Sequence, residues 1–412
     1  MPSEYVLTVT TNRAEAIYQT HSRIDFVIHL TRSGQAVTDV PVQYVLRKNL
    51  SSTLTEGQVD FTASPAVVST NLPEPGFVDC TVTVTPPGES PISASVAAAV
   101  EPLAITPSMP TPDDFNTFWD NRLACLKAVP LDPKITATPT WDEQLECFDV
   151  RMSCVDEVPV SGYFARPRGA KASSLPAVLT VHGAGVRSAS AAVAQLCAER
   201  NWLAMDLNAH GVTNGESEEY YAALAEHELA DYRYRGGDDP VSNYFVNMFL
   251  RVRRALDFLA DQPQWDGRVL TVHGHSQGGY QAIAGAALDS RVTAFAAGVA
   301  AGCDHTGHVV GRPDGWPRLA DAATGDDRKR RIRTARYIDT VNLITRTKAE
   351  AFFSVGCIDA TCNPVGIYAA YNNHAGPKHM IHCPAMGHGS PPEVDGAFTR
   401  SLMEHARRRA NS

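Results

Sequence analysis

Apolar and polar residues alternate along the first hundred positions of the chain. Segments 5–10, 23–30, 40–46 and 78–84 are rich in Val, Ile, Tyr and Thr, and turn residues such as Ser33-Gly34 and Pro73-Glu74-Pro75-Gly76 separate them. A period of two in short, evenly spaced segments predicts strands. Such strands without a helical period predict a small all-β, immunoglobulin-like sandwich over residues 1–103. No cluster of His, Asp, Glu or Cys falls in this stretch, so it reads as a packing module without chemistry of its own.

The pattern then breaks. Pro102, Pro107, Pro110 and Pro112 disfavour regular structure and mark a boundary. Asp113 and Asp114 precede Phe115, Phe118, Trp119 and Leu123, which predicts a helix with acidic residues at its start. Residues 104–145 are therefore assigned as a proline-rich linker with a lead-in helix.

From residue 146 to 412 the period changes again. A hairpin is predicted over 145–152 and 160–166. It is followed by short continuous apolar runs at 177–181, 202–207, 269–273, 295–299, 351–355 and 378–382. Runs of this kind suit strands covered on both faces. Helical patterns lie between them at 189–200, 243–261 and 277–288. The second places Phe245, Met248, Phe249, Val252, Leu256 and Leu259 on one face. Alternating strands and helices predict a doubly wound, mostly parallel α/β sheet of the α/β-hydrolase kind.

One junction in that pattern carries chemistry. The run 269–273 leads into Gly274-His275-Ser276-Gln277-Gly278-Gly279 and then into a helix. This is Gly-x-Ser-x-Gly in the strand-turn-helix setting that makes Ser276 a candidate nucleophile. The glycines leave room for strand and helix to approach, and the helix start aims N–H groups at a developing oxyanion. Run 177–181 ends in His182-Gly183-Ala184-Gly185, so the N–H groups of Ala184 and Gln277 are the candidate oxyanion donors. The remaining members should follow in the order acid, then histidine. Asp359 closes Gly356-Cys357-Ile358-Asp359 beyond one strand, and His388 lies in Pro384-Ala385-Met386-Gly387-His388-Gly389 beyond the last. Asp359 would fix the tautomer of His388, which would take the proton of Ser276.

Other candidates weigh less. His275 adjoins the serine but should point away from it. His182, His210 and Asp304 lie near the predicted site, with Asp304 a weaker alternative as the acid and His210 favoured as structural over pocket-lining. His379 and His382 read as core histidines within a strand. The chain's 14 histidines show no His-Glu-x-x-His or Cys/His ligand spacing, so neither metal nor cofactor is expected.

Composition narrows the partners. A net charge of −9 without a long basic run argues against nucleic acid and anionic membranes. No apolar stretch reaches the length of a membrane span. Residues 1–18 contain no apolar signal core, so the expected location is cytoplasmic, or secreted or periplasmic if a leader was removed. Nine cysteines form no Cys-x-x-Cys framework and read as mostly reduced core residues, with a local Cys357–Cys362 bridge as the weaker reading.

Taken together, residues of about 110–400 resemble the acetyl xylan esterase and cephalosporin C deacetylase family. The resemblance is carried by Pro112-Asp113-Asp114-Phe115 with Phe118-Trp119, and by Arg251, Arg254, Ala255 and Asp257. Gln264-Trp265-Asp266, the Ser-Gln-Gly-Gly elbow, the loop ending at Asp359, Tyr371-Asn372 and Gly387-His388 complete it. It implies deacetylation of short acetylated sugars through an acyl-serine, in a homo-oligomer. The N-terminal β unit reads as an addition to the family, and three positions depart from its pattern. Asn208-Ala209-His210-Gly211 replaces an Arg-Gly-Gln segment, Gly389 follows His388 where Glu is usual, and Ala184 stands where Tyr is common. Two other functions compete: a prolyl-oligopeptidase-like peptidase, for which 100 residues are too few to build a propeller, and a non-catalytic binding protein on the same scaffold, against which three filled triad positions count.

Overall fold

The computed structural model describes residues 5–411 apart from 39, 62–63 and 156–157. The N-terminal part forms two sheets. In one, Ile24–Arg32 pairs antiparallel with Tyr5–Thr11, Gln35–Ala36 and Ala66–Thr70. The other has the order Ile17–Tyr18, Ile92–Val100, Gly76–Val84, Pro41–Lys48, Ser52–Asp60. The period-two residues Ile24, Phe26, Ile28 and Leu30 are fully buried, in one cluster with Val42, Leu46, Val78 and Val82.

The strands that simple alternation did not reveal are instructive. Ser52–Asp60 is polar and mostly exposed. Ile92–Val100 is buried on both faces toward its end: Val96, Ala98 and Val100 enter the N-terminal core, while Ala97 and Ala99 enter the core of the second body, together with Phe77. The side chains of one strand thus serve two cores, and small alanines let the bodies meet closely.

The second body is built on a nine-stranded sheet. Its order is Lys134–Thr138, Leu145–Met152, Val160–Pro167, Leu203–Leu207, Leu175–Val181, Trp265–His275, Ala294–Gly298, Glu350–Gly356, Lys378–Cys383. The first three pairings are antiparallel and the rest parallel. The strand leading to Ser276 is therefore central. Helices Ala191–Ala198, Tyr244–Ala260 and Gln277–Leu288 agree with the periodicity, and the apolar face of the second is buried as expected.

Residues 104–145 are not a free linker. Lys134–Thr138 adds an edge strand to the large sheet. The helix Phe115–Ala128 buries Phe115 and Trp119, and the Trp119 indole N–H donates to the Tyr337 carbonyl at 3.0 Å. Arg254 donates to the Leu126 and Val129 carbonyls at the helix's far end. The prolines break helix and strand geometry locally, yet the segment's apolar residues still belong to the main core.

Five helices lie outside the sequence expectation: Glu218–Glu226, Gly325–Ile338, Thr340–Leu343, Pro364–Asn373 and Pro392–Ala410. The first and the last are amphipathic surface helices, and Thr340–Leu343 is a single turn. Gly325–Ile338 is mostly charged and shows no broad apolar stripe, whereas Pro364–Asn373 is buried on nearly every side. Neither yields a clear 3.6-residue signal. His379 is exposed, against expectation, and stacks on Phe352 at 5.2 Å between ring centres. All nine cysteines are free, so Cys357 and Cys362 form no bridge. Among the described residues no helix is long and apolar enough to cross a membrane.

Candidate active site

Ser276 stands between the central strand and the helix Gln277–Leu288 with φ 56° and ψ −122°, a backbone conformation that L residues rarely adopt. Its N–H donates to the Gly298 carbonyl at 2.8 Å, and its own carbonyl accepts from Ala301 N at 3.0 Å. The flanking glycines are steric requirements. A Cβ on Gly278 would lie 2.3 Å from the Val181 carbonyl oxygen, and one on Gly274 would lie 2.5 Å from Gly278 C.

Two later strands bring up the other groups. His388 Nε2 lies 3.0 Å from Ser276 Oγ, and its Nδ1 lies 2.8 Å from Asp359 Oδ2. Asp359 is fully buried, and its other oxygen accepts from Thr361 N at 2.8 Å and Cys362 N at 2.9 Å. The loop bearing His388 is laced to the loop bearing Asp359, with Cys357 N donating to Cys383 O and Ile358 N to Met386 O. The hydrogen bond that His388 Nδ1 donates to Asp359 holds the imidazole above its ordinary pKa, against the opposing effect of partial burial.

The loop with Ala184 passes close to the serine: a Cβ on Gly183 would lie 3.7 Å from Ser276 Cβ. Gln277 opens the helix, so its N–H is one of the first-turn donors without a helical acceptor. Around this loop sits a set of neutral histidines. His182 Nδ1 is 2.7 Å from the Gly183 carbonyl, so Nδ1 carries the proton and Nε2 accepts from Ala209 N at 3.1 Å. His210 Nε2 faces the Gly185 carbonyl at 3.3 Å, leaving Nδ1 to accept from the Tyr244 hydroxyl at 2.6 Å. Burial lowers the pKa of His182 to about 4 and of His210 to about 3. His210 therefore ties the Ala184 loop to the helix at Tyr244. Arg251 donates twice to the Ala209 carbonyl and stands over the Tyr244 ring.

Two predicted neighbours lie elsewhere. His275 points away from Ser276 and pairs with Asp395 at 2.9 Å. Asp304 is buried against Ser108 and Arg312, so it is anchored outside the serine–imidazole–carboxylate chain. Conversely, sequence reasoning missed Tyr232, whose hydroxyl donates to Gln277 Oε1 at 2.5 Å, and Cys362, whose sulfur lies within 4.8 Å of ligand atoms of Asp359 and His388. Tyr232 lies in a polar, irregular segment without a motif. Cys362 could have been noticed from its place three residues beyond Asp359.

A central parallel strand, a strained serine turn and an imidazole–carboxylate pair on loops after later strands define an α/β-hydrolase. The acetyl xylan esterase (AXE1) family model matches residues 103–399, and the chain belongs to that family of carboxylic ester hydrolases. An acetyl esterase (Axe7A) of Xylanibacter ruminicola is 25% identical over 409 residues, 97% of this chain and 90% of that protein. The N-terminal β unit is thus within the shared length. Among solved structures, an acetyl xylan esterase from Paenibacillus sp. R4 is 26% identical with a TM-score of 0.65, covering 74% of this chain and 98% of its own. Acetyl xylan esterase 1 from a Thermoanaerobacterium species has the same fold, at 22% identity and TM-score 0.62, over 73% of this chain and 98% of its own.

Proposed function

We propose that this chain removes acetyl groups from acetylated xylan or xylo-oligosaccharides through an acyl-serine. The observation that carries the reading is the unbroken hydrogen-bonded chain from Ser276 Oγ through His388 to buried Asp359, at 3.0 and 2.8 Å. Ser276 Oγ attacks the acetyl carbonyl as His388 Nε2 takes its proton. The oxyanion is held by the N–H groups of Ala184 and Gln277. His388 returns the proton to the departing sugar oxygen. Water, deprotonated by the same nitrogen, then attacks the acetyl-serine; acetate leaves and Ser276 regains its proton. Asp359 stays ionised, orients the ring and stabilises the imidazolium. No step needs a metal, so dialysis against a chelator leaves turnover unchanged.

The acetyl preference rests on the family and its named relatives. It is tested by comparing kcat/KM for p-nitrophenyl acetate, butyrate and octanoate, and by following acetate release from acetylated xylo-oligosaccharides. A rate that rises steadily with acyl length would overturn it. For the N-terminal unit, two sheets over one core support an immunoglobulin-like sandwich that buttresses the second body and contributes no reacting group.

A further inference from the structure

The cluster Asp359, Cys362 and His388 does more than the hydrolytic reading requires. One ligand atom from each residue lies within 4.8 Å of the other two. Asp359 and Cys362 are buried, whereas the His388 side chain keeps 32% of its surface open to solvent. All nine cysteines are free, and the Cys362 sulfur lies within 4.8 Å of a carboxylate oxygen of Asp359 and of a ring nitrogen of His388. A thiol does nothing in the acyl-serine route.

We infer that these three side chains form an inhibitory site for a thiophilic divalent cation of the zinc or cadmium kind. The inference rests on the triad reading above. Thiolate, imidazole and carboxylate are the donor set such ions favour over the hard oxygen sets of magnesium and calcium. Charge balances: a doubly positive ion meets one thiolate and one carboxylate, and the imidazole is neutral. The site is therefore uncharged, which suits buried surroundings. Binding exchanges the S–H bond for a sulfur–metal bond and releases that proton to solvent. Donor atoms in a tetrahedral zinc site lie roughly 3.3–3.8 Å apart, so side-chain adjustments of about one ångström close the group. The exposed edge of His388 gives the ion its approach.

The donor on His388 is Nδ1, the nitrogen that faces Asp359, since Nε2 is turned to Ser276. A metal on Nδ1 breaks the bond to Asp359 and moves the ring proton to Nε2, which can then no longer accept from Ser276. The metal site is thus a switch on the hydrolytic site, not a cofactor for it.

The test titrates zinc, cadmium and magnesium chlorides into the full-length protein in a non-chelating buffer. Two readouts are taken: p-nitrophenyl acetate hydrolysis and the ultraviolet charge-transfer absorption of a cadmium–thiolate bond. Zinc and cadmium should abolish hydrolysis, a chelator should restore it, and magnesium should do nothing. Cys362→Ala should raise the inhibitory concentration by roughly tenfold to a hundredfold relative to its own metal-free rate, and should lose the absorption. Cys125→Ala, at an exposed thiol, should retain both responses. If circular dichroism shows that Cys362→Ala is misfolded, Cys362→Ser takes its place with the same expectation. Equal inhibition of wild type and the Cys362 variant, or no cadmium–thiolate signal dependent on Cys362, overturns the site. Ser276→Ala separates the two readings. Its residual hydrolysis tests the triad, while its cadmium absorption, which needs no activity, tests the metal site.

Discussion

The N-terminal β unit and the hydrolase body are both held by apolar cores, but they use alternation differently. In Ile24–Arg32 the alternation is one-sided: Ile24, Phe26, Ile28 and Leu30 are buried, while Asp25, Val27 and His29 are not. In Ile92–Val100 both sides end in protein, because the odd residues Ala97 and Ala99 face the hydrolase core. The contact is specific as well as apolar. Ala97 N donates to Pro384 O at 3.0 Å, and Asn363 Nδ2 donates to Asn49 O at 2.9 Å. Phe77 packs on Tyr368 with ring centres 5.8 Å apart. Pro384 lies on the same loop as His388, and Asn363 adjoins Cys362. The N-terminal unit therefore anchors the two loops that carry Asp359 and His388, which makes it a structural part of the site.

The sharpest division between the two regions is chemical. Ser276→Ala should lower kcat by about three or more orders of magnitude with an unchanged circular dichroism spectrum. Asp359→Asn should follow, at about two to four orders, since the ring loses its tautomer and orientation. Deleting residues 1–101 should abolish p-nitrophenyl acetate hydrolysis in whatever protein stays soluble, because the Pro384 tether goes with it. A truncated protein of wild-type kcat would break the comparison. Phe77→Ala, in the β unit but within the hydrolase core, should cost about 3–5 kcal/mol of stability, measured by denaturant unfolding.

The smallest effect is a shift in pH. The base must be neutral, and Asp359 raises the pKa of His388. The acid limb of kcat/KM should therefore fall at a pH above the ordinary histidine value of about 6.5, and move lower in Asp359→Asn. The same raised pKa has a sign for stability: the protonated pair stabilises the fold fully below the unfolded histidine's pKa, and that contribution is lost as pH rises through the folded value.

Local chemistry was legible in the chain wherever neighbours in sequence suffice. The glycines around Ser276 are demanded by a turn that closes within a few residues, and strand-helix alternation follows from burial on both sheet faces. The acid and the histidine were findable because strand order constrains where each can emerge. What only tertiary structure decided involves partners far apart in the chain. Tyr232 meets Gln277, Cys362 meets His388, His210 holds the Ala184 loop, and the residues after the proline break join the main core. None of these contacts leaves a periodicity, because a hydrogen bond or a packing contact between distant segments depends on where the sheet delivers each loop. The double burial of Ile92–Val100 has the same origin. Its alanines carry little pattern by themselves, and only the approach of the second body gives their small size a purpose.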